Sequence, residues 1–437
     1  DYFLTSFGAA LRLFIPQSLR NRKTPIKEKF SSSASQKEKK QATLLWQDSR
    51  NDYYLKLIKQ TDGQTIFLVP EIADIQPKLN FLTEHFPKEK IVVYHSRLNT
   101  SEQFESWKKA RQGKAKVILG TRSAIFNSCP DLSLIIVDKE EDPSYKSWDQ
   151  HPRYQTKKVA GKLAELTSAK LLLGSTMPSV NTRYQAQNNY ELKREKTNQT
   201  EIEVSDLKEE EEKGYCLLGD KLKDKLEQRL KKNKKSVLFM NRRGLATSVI
   251  CQDCGHTVEC DQCEVPMVYH QEGSYLLCHH CGTKEKNLKA CPNCEGHQLK
   301  YFGAGTQKVA QKVKEIFPDA NILRLDSDTA SNLEEQQKIT DKFKAEGDIL
   351  VGTKLLLKNK LPADLFTGIV LIDPILSLPE FNAQEQVFRM IARLRAQSEQ
   401  MLIQTYNSDH ELFGYLNKKP EEFYKKELEN RKSLWYP

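Results

Sequence analysis

The sequence predicts an α/β protein with two lobes built on parallel sheets and a small metal-binding module inserted in the second lobe. From residue 42 onward, short apolar runs rich in β-branched residues alternate with helix-like stretches. Runs that are apolar throughout are typical of parallel strands buried on both faces. A second series of the same kind begins near residue 236, and a cysteine-rich segment interrupts it after its first run. This alternation of strands and helices indicates βαβ units.

Each series predicts a set of strands. The first set comprises Thr65–Val69, Ile91–Tyr94, Val117–Leu119, Leu134–Val137 and Leu171–Leu173, with a helix over Ser101–Gln112. The second set comprises Ser236–Met240, Ile322–Leu325, Ile349–Val351, Ile369–Ile372 and Met401–Ile403. Before the second set, Leu222, Leu226 and Leu230 lie on one face of a predicted helix.

A chain of 437 residues is long enough for about three domains. We divide it into an apolar segment at 1–15, a flexible basic linker at 16–41, a first lobe at 42–200, a second lobe at 201–250 and 302–410, a cysteine-rich insert at 251–301 and a charged tail at 411–437. No apolar run approaches the ~18 residues that a membrane span needs. The start has no initiator Met and no signal-peptide pattern, so we expect a cytoplasmic fragment of a longer chain.

The net charge of +10 is unevenly distributed. Residues 20–40 carry eight Lys or Arg against two Glu, and a second basic cluster comprises Lys231, Lys232, Lys234 and Lys235. Clustered positive charge favours nucleic acid as a partner. For either cluster alone, a solvated linker or a solvated helix end is the simpler interpretation, and both interpretations stay open.

Eight of the ten cysteines form four CxxC pairs, which are Cys251 and Cys254, Cys260 and Cys263, Cys278 and Cys281, and Cys291 and Cys294. In a cytosolic chain this spacing indicates metal binding rather than disulfides. Two CxxC turns close one tetrahedral site of four thiolates, for which zinc fits best, so four turns predict two structural zinc ions. Spacing alone leaves three ways to pair the turns. Residues 251–301 carry a net charge of −3, which favours a scaffold or protein-docking role over a grip on phosphates.

The segments around this insert resemble the primosomal protein N′ (PriA) family of superfamily 2 replication-restart helicases. The insert lies between Phe239–Gly244 and Tyr301–Gln307. Upstream, similar segments are Val69–Ile72, Tyr94–Ser96, Gly120–Ala124, Ile135–Asp138, Ser144–Lys146, Pro152–Tyr154 and Gly174–Ser179. Downstream, they are Asp326–Asp328, Asp348–Thr353, Leu378–Phe381 and Gln404–Tyr406. The resemblance covers nearly the whole chain, and the ordered set with the eight cysteines is highly specific.

The resemblance implies two tandem RecA-like helicase lobes with a two-zinc insert in the second lobe. It implies that residues 1–15 are the remnant of a domain that binds a DNA 3′ end, and that residues 411–437 begin a truncated C-terminal domain. It also implies a nested pairing of the cysteines. One zinc would take Cys251, Cys254, Cys291 and Cys294, and the other would take Cys260, Cys263, Cys278 and Cys281.

The ATPase motifs of the family are degraded in this chain. The phosphate-loop pattern G-x-x-x-x-G-K-[ST] is expected at Trp46, Gln47, Asp48, Ser49, Arg50 and Asn51, which include no Gly and no Lys. Asp138 is retained as a candidate Mg²⁺ ligand, whereas Lys139 stands where the family has the Glu that activates water. Gln397 and Gln400 stand where arginine fingers are expected, although a shifted register would retain Arg393 or Arg395.

The DNA-side motifs of the family are retained. The candidate DNA contacts are Thr121, Arg122, Tyr145, Lys146, Trp148, Arg153 and Tyr154 in the first lobe, and Arg242, Arg243, Thr306, Thr353 and Lys354 in the second. Hydroxyl and basic side chains would contact phosphates, and aromatic rings would stack on bases. For each residue alone, surface or core packing is the competing interpretation.

We therefore expect a PriA-like protein for replication restart, DNA repair and recombination that binds forked or single-stranded DNA as a monomer and lacks ATPase activity. The resemblance implies replication-restart proteins and single-strand-binding protein as partners, two zinc ions, and ATP with Mg²⁺ as the family's cofactor. One rival hypothesis is an active 3′-to-5′ helicase whose phosphate loop is misaligned. The other is a zinc-scaffold adaptor that docks replication proteins and barely touches DNA.

Overall fold

The computed structural model of the chain describes residue 13 and residues 42–147, 152–194, 200–208, 217–240, 248–251, 253–262, 267–270, 275–278, 283–286, 288–302, 305–359, 361–362, 364–376 and 380–434. The chain forms two compact units, Asp1–Thr197 and Asn198–Pro437. Apart from Leu13, the predicted N-terminal remnant and the basic linker lie outside the described residues.

A seven-stranded parallel sheet forms the first unit, in the spatial order β3-β4-β2-β5-β6-β1-β7. Its strands are β1 (Ala42–Trp46), β2 (Gln64–Leu68), β3 (Ile91–Tyr94), β4 (Val117–Gly120), β5 (Leu132–Asp138), β6 (Lys170–Ser175) and β7 (Tyr190–Arg194). Residues of β2 and β4 are buried throughout, as expected for strands covered on both faces.

The helices of the first unit cover both faces of this sheet and create two apolar cores. The helices are α1 (Asn51–Gln60), α2 (Ile75–Thr83), α3 (Thr100–Arg111), α4 (Thr156–Thr167) and α5 (Val180–Asn189). One core packs residues of α3 and α4 against the sheet, and the other packs residues of α1 and α2 against it. Local sequence fixes some helix starts: Asn99 and Glu102 form a capping box before α3, and Ser179 caps α5.

The second unit begins with β8 (Ile202–Asp206), α6 (Asp220–Lys231) and β9 (Ser236–Phe239). The insert follows as an antiparallel sheet of β10 (Ser248–Cys251), β11 (Val268–His270), β12 (Tyr275–Leu277), β13 (Lys284–Lys286) and β14 (Leu299–Phe302). Its order is β13-β12-β11-β10-β14, and its small core includes Cys260 and Cys278.

The chain then returns to the parallel sheet of the second unit, whose order is β15-β16-β9-β17-β18-β8. The remaining elements are α7 (Thr306–Ile316), β15 (Ile322–Leu325), α8 (Leu333–Glu346), β16 (Ile349–Gly352), β17 (Leu365–Ile369), α9 (Asp373–Leu376), α10 (Ala383–Arg395), β18 (Ser398–Thr405), α11 (Phe413–Leu416) and α12 (Pro420–Ser433). Gly368 in β17 lets α6 pack closely, since a Cβ atom there would lie 2.7 Å from Leu222 Cδ1.

The C-terminal helix is part of the second unit's fold. Arg431 of α12 forms a buried ion pair with Glu427 at 2.9 Å and another with Glu385 of α10. The rings of Phe388 and Phe423 stack with their centroids 3.9 Å apart. Among the described residues, no helix is long and apolar enough to cross a membrane.

The apolar runs predict most strands of the two parallel sheets, including the edge strands β3 and β15. The strands at Ile91–Tyr94 and Ile322–Leu325 are confirmed. The predicted strand Ile369–Ile372 is wrong. The strand is Leu365–Ile369, and the non-apolar Thr367 and Gly368 interrupt its apolar pattern. The prediction also omits β7, whose sequence is too charged to look like a buried strand. Edge strands tolerate such charge because one side faces solvent.

Candidate functional site

Parallel strands gather the candidate polar residues of the first unit at one edge of its sheet. The segments after β1, β4, β5 and β6 all begin at the carboxyl ends of parallel strands. Ligand sites of open α/β sheets lie outside these ends. The predicted phosphate-loop, metal and DNA residues of this unit therefore share one edge.

The segment from Gln47 to Arg50 separates β1 from α1 at the phosphate-loop position. Gln47 N donates a hydrogen bond to Ser175 O at 3.0 Å, which ties this segment to the end of β6. In a phosphate loop, Lys and Ser or Thr stand where the helix opens. Arg50 and Asn51 occupy those two places here. A cation, Arg50, therefore stands directly before this helix, although the segment has no Gly and no Lys.

Arg50 forms a buried ion pair with Asp138 at the end of β5. Its Nη2 and Nε atoms lie 2.8 and 2.9 Å from Asp138 Oδ1. Its Nη1 atom donates to Gln47 O at 2.7 Å and to Thr176 Oγ1 at 3.1 Å. One guanidinium group thus joins the segments after three strands.

Two further side chains approach Asp138. Tyr54 OH donates to Asp138 Oδ1 at 2.8 Å, and Lys78 Nζ lies 3.3 Å from Asp138 Oδ2. Lys78 Nζ also donates to Asn51 Oδ1 at 2.7 Å. The remaining predicted residues hold no ligand-like geometry: Trp46 is buried under the Arg194 guanidinium, while Asp48 and Ser49 are exposed.

The pKa values of this pair follow from its partners. Burial by itself raises the pKa of Asp138, but the charges of Arg50, Lys78 and Lys139 outweigh burial and hold that pKa far below its usual range. Burial lowers the pKa of Arg50, and the nearby Asp138 carboxylate reverses this and raises it. Both groups are therefore ionised at neutral pH.

Lys139 is turned away from any role as a base. Its backbone lies in the left-handed region, with φ at 52°, and its backbone N–H donates to Asp138 Oδ1 at 3.0 Å. Its Nζ atom forms an ion pair with Asp74 Oδ1 at 2.6 Å. A cation held in this way cannot accept a proton from water.

The two glutamates after Lys139 are bound into the fold. Glu140 accepts hydrogen bonds from Ser179 N and Thr182 Oγ1, both at 2.7 Å, at the N-terminus of α5. A carboxylate is favoured at a helix N-terminus. Glu141 accepts a hydrogen bond from Ser175 Oγ at 2.7 Å. Both carboxylates fix the end of β5 to the segment after β6.

Tyr145, a predicted DNA contact, has the core packing that was its competing interpretation. Its side chain is 1% exposed, and its hydroxyl lies 2.6 Å from Asp138 O and 3.1 Å from Leu68 O. Burial raises its pKa well above the ordinary value. No ring face is exposed for base stacking. The Tyr145 hydroxyl instead links the ends of β2 and β5.

The other candidates of this loop differ in exposure. Arg122 Nη1 donates to Ser144 O and Lys146 O, both at 3.3 Å, and so braces the loop. Arg153 is exposed, whereas Tyr154 is half-buried, with its ring edge against Phe126. Burial raises the pKa of Tyr154 to about 12. Thr121 is buried and Trp148 lies outside the described residues.

In the second unit, two of the predicted DNA contacts lie at the carboxyl ends of β15 and β16. Thr306 Oγ1 donates to Asp326 Oδ2, which also pairs with Arg324 at 2.9 Å. Thr353 N donates to Leu325 O at 3.2 Å. Lys354 follows Thr353 and is exposed. Arg242 and Arg243 lie outside the described residues.

The predicted finger positions lie at the opposite end of β18 from this edge. Gln397 accepts a hydrogen bond from Leu361 N at 3.4 Å, and Gln400 is an exposed residue of β18. In the shifted register, Arg395 donates to Leu416 O at 2.8 Å. Arg395 therefore serves the fold of the second unit in the observed arrangement.

Asp373 is a buried acid that the sequence predictions do not include. It accepts hydrogen bonds from Thr405 Oγ1 at 2.8 Å and from Tyr406 N at 3.1 Å. Burial, which outweighs these hydrogen bonds and the charge of Lys208, raises the pKa of Asp373 to about 6. An Asp that directly follows an apolar run, as at Val137–Asp138, is the signal that could have found it.

Four cysteines of the insert come together as a metal-site geometry. The Sγ atoms of Cys251, Cys254, Cys291 and Cys294 all lie within 4.8 Å of one another. Cys251 and Cys294 are 3.6 Å apart, and Cys254 and Cys291 are 3.7 Å apart. Tetrahedral zinc with Zn–S bonds near 2.3 Å requires sulfur atoms about 3.8 Å apart. The donor set fits zinc, and its members are those that the resemblance assigns to one ion.

The second predicted set is described in part. Cys260 and Cys278 are both buried in the core of the insert. Cys263 and Cys281 lie outside the described residues.

Comparisons with known proteins cover the insert and most of the chain. Residues 260–286 match a family model described as the PriA DNA helicase Cys-rich region domain. The replication restart protein PriA of Bacillus subtilis is 32% identical over 89% of this chain and 50% of its own length. The PriA of Chlamydia trachomatis is 35% identical over 89% of this chain and 54% of its own length. The chain thus spans about half the length of the curated relatives it matches.

A solved structure of RecG bound to a three-way DNA junction aligns with 89% of this chain and 43% of its own, at 10% identity and a TM-score of 0.46.

Proposed function

Because the chain belongs to the PriA family of replication restart proteins, we propose that it binds forked or single-stranded DNA during replication restart and does not hydrolyse ATP. Lys139 is the observation that carries this proposal. It stands beside Asp138 where hydrolysis needs a base, and its ammonium group pairs with Asp74. Without a base, water is not activated at this edge.

Further losses support catalytic silence. The segment between β1 and α1 lacks the glycines and Lys that cradle phosphates. Gln397 and Gln400 take the finger positions, and an arginine finger alone is worth ~10³–10⁵ in rate. Losses within one catalytic unit do not add simply, but any two of these defects suffice to stop turnover.

DNA binding rests on family membership and on cations at the strand-end edges. Arg153 and Lys354 are exposed, one in each unit. Each exposed cation offers a phosphate contact, and such contacts make affinity fall steeply as salt rises. Two zinc ions, paired as the resemblance implies, complete the proposed holoprotein. Replication-restart proteins and single-strand-binding protein are the proposed protein partners of this monomer.

The test combines DNA binding with ATP turnover on the full chain. Fluorescence anisotropy should show tighter binding to a fork than to a blunt duplex, and a coupled assay with forked DNA should show no turnover. Asp138→Asn serves as the contamination control. DNA-stimulated turnover that disappears in Asp138→Asn would establish the active-helicase hypothesis in place of ours.

An adaptor is the second candidate, and the acidic insert is the observation that favours it. Residues 251–301 carry seven Asp or Glu and four Lys. An acidic surface suits a basic protein partner better than a phosphate backbone. Fork binding that is weak and insensitive to salt would favour the adaptor over the DNA-binding protein.

A further inference from the structure

We propose that the first unit fills its own nucleotide-phosphate position, with Arg50 and Lys78 as permanent counter-ions that convert Asp138 from a metal ligand into a structural anion. This inference rests on the proposed loss of hydrolysis and goes further, since it excludes Mg²⁺ and nucleotide binding as well as turnover. Three observations carry it: the two cations bound to Asp138, the packing of Tyr54 and the contacts of Arg50.

The carboxylate of Asp138 is bound by two cations, a hydroxyl group and a backbone N–H. Oδ1 accepts the guanidinium of Arg50 at 2.8 Å, the hydroxyl of Tyr54 at 2.8 Å and the backbone N–H of Lys139 at 3.0 Å. Oδ2 faces the ammonium of Lys78 at 3.3 Å. Mg²⁺ needs near-octahedral oxygen ligands at about 2.0–2.1 Å. Residues already bound to cations do not fit that requirement, and the neighbouring positive charges repel a third cation.

The space beside Asp138 is filled by a packed ring. Tyr54 is fully buried and meets Phe67 edge-to-face, with centroids 5.2 Å apart. Gly174 of β6 leaves the slot for this ring, because a Cβ atom there would lie 1.7 Å from the Tyr54 hydroxyl oxygen. Lys78 Nζ lies 5.3 Å from the Tyr54 ring centroid. The Tyr54 ring occupies the space beside Asp138, so a phosphate group placed there would have to displace it.

The choice of Arg over Lys at position 50 follows from geometry. A guanidinium group has five donors in a fixed planar fork, whereas an ammonium group is a point charge. Arg50 uses this fork to bind Asp138, Gln47 O and Thr176 Oγ1 together. A Lys could neutralise Asp138 but could not hold the segments after β1 and β6 at once. Arg50 is thus a positioning residue for the strand ends.

The first experiment measures ligand binding by the wild-type zinc-loaded chain. Thermal unfolding is recorded without added Mg²⁺, with Mg²⁺ alone and with Mg²⁺ and ATP, always without a chelator so that the zinc stays bound, and turnover is measured in parallel. We expect no shift of the unfolding midpoint in any condition. A nucleotide-dependent shift without turnover overturns this inference and leaves the proposed function intact. A shift with DNA-stimulated turnover overturns both.

The second experiment is a double-mutant cycle of Arg50→Ala and Asp138→Asn, read as the urea midpoint of the first unit. Each single variant leaves a buried partner unsatisfied, so each should lower the midpoint strongly, and the double variant should lose less than the sum. Lys162→Ala with Glu165→Gln is the matched control, because that pair is exposed and 3.0 Å apart. Additive losses in the Arg50–Asp138 cycle overturn the inference. If Arg50→Ala does not fold, Arg50→Lys replaces it and should lower the midpoint while keeping a smaller coupling.

Discussion

Asp138 in the first unit and Asp373 in the second are both buried acids near the carboxyl ends of central parallel strands. Burial favours the neutral form of each. The pKa of Asp138 nevertheless lies far below the usual range, because Arg50 and Lys78 bind its carboxylate directly. The pKa of Asp373 rises to about 6, because hydrogen bonds from Thr405 and Tyr406 only partly offset burial.

This difference shows that burial alone does not decide the charge of a strand-end acid. Direct ion pairs turn Asp138 into a permanent anion that holds the first unit together. Asp373 has only neutral hydrogen-bond donors as direct partners, so its carboxyl group titrates in mildly acidic solution. The two units therefore both place a buried acid near the end of a central parallel strand, but different contacts hold that acid in place.

Metal removal should have the largest effect, and it should be confined to the second unit. Structural zinc supplies about 10–16 kcal/mol in small zinc-binding peptides. The first cysteine set adjoins the end of β18, since a Cβ atom at Gly255 would lie 2.7 Å from Tyr406 O. Cys254→Ala should reduce the zinc content, measured by elemental analysis, from two ions to one per chain. It should also increase hydrogen exchange in the insert.

In the same experiment, peptides from the first unit should keep their exchange protection, because that unit has its own sheet and core. One zinc or none in reduced wild-type protein would contradict the two-site proposal. Loss of protection in the first unit would contradict its independence from the metal.

Asp138→Asn should destabilise the first unit by about 3–5 kcal/mol, because it leaves the buried cations Arg50 and Lys78 without their anionic partner. Asp373→Asn should change the second unit much less, since an amide oxygen can accept the same hydrogen bonds. Urea titration followed by hydrogen exchange of peptides from each unit measures the two effects separately. Equal losses from the two substitutions would show that ion pairing does not distinguish these acids.

The two units should respond to pH in opposite directions. The folded pKa of Asp138 lies below the ordinary value of 3.8, so its stabilisation is complete above about pH 4 and is lost as pH falls further. The folded pKa of Asp373 is about 6, so its contribution is complete below about pH 4 and is lost as pH rises through 6. The rise of the Asp373 pKa from 3.8 to about 6 is worth about 3 kcal/mol.

Urea midpoints of the second unit, measured between pH 4 and pH 8, should fall as pH rises. Asp373→Asn should flatten this slope, and the exposed-site variant Lys162→Ala should leave it unchanged. A slope that persists in Asp373→Asn would assign the titration to another group.

Single cation substitutions at the DNA-side edges should have the smallest effect. Arg153→Ala or Lys354→Ala should each weaken fork binding several-fold and reduce the salt slope by about 1, because each removes one phosphate contact. Lys162→Ala on α4 controls for a general loss of positive charge. Fluorescence anisotropy across a salt series measures both quantities, and an unchanged slope in both variants would remove these residues from the interface.

The sequence by itself determined the α/β class, most of the parallel strands and the four CxxC turns, because apolar strands and CxxC turns are recognisable from local residue patterns. These features depend on residue type and spacing within a few positions, so no distant contact is needed to find them.

Only the tertiary structure decided what the strand-end residues do. Arg50 reaches Asp138 across 88 positions, and Tyr54 fits beside it because Gly174 leaves a slot. The sequence left DNA contact and core packing open for Tyr145, and the structure shows its hydroxyl bound to the backbone oxygen of Asp138. Parallel sheets bring sequence-distant segments to one edge, so the partners, burial and charge of each side chain there are set by the fold and are invisible to local pattern.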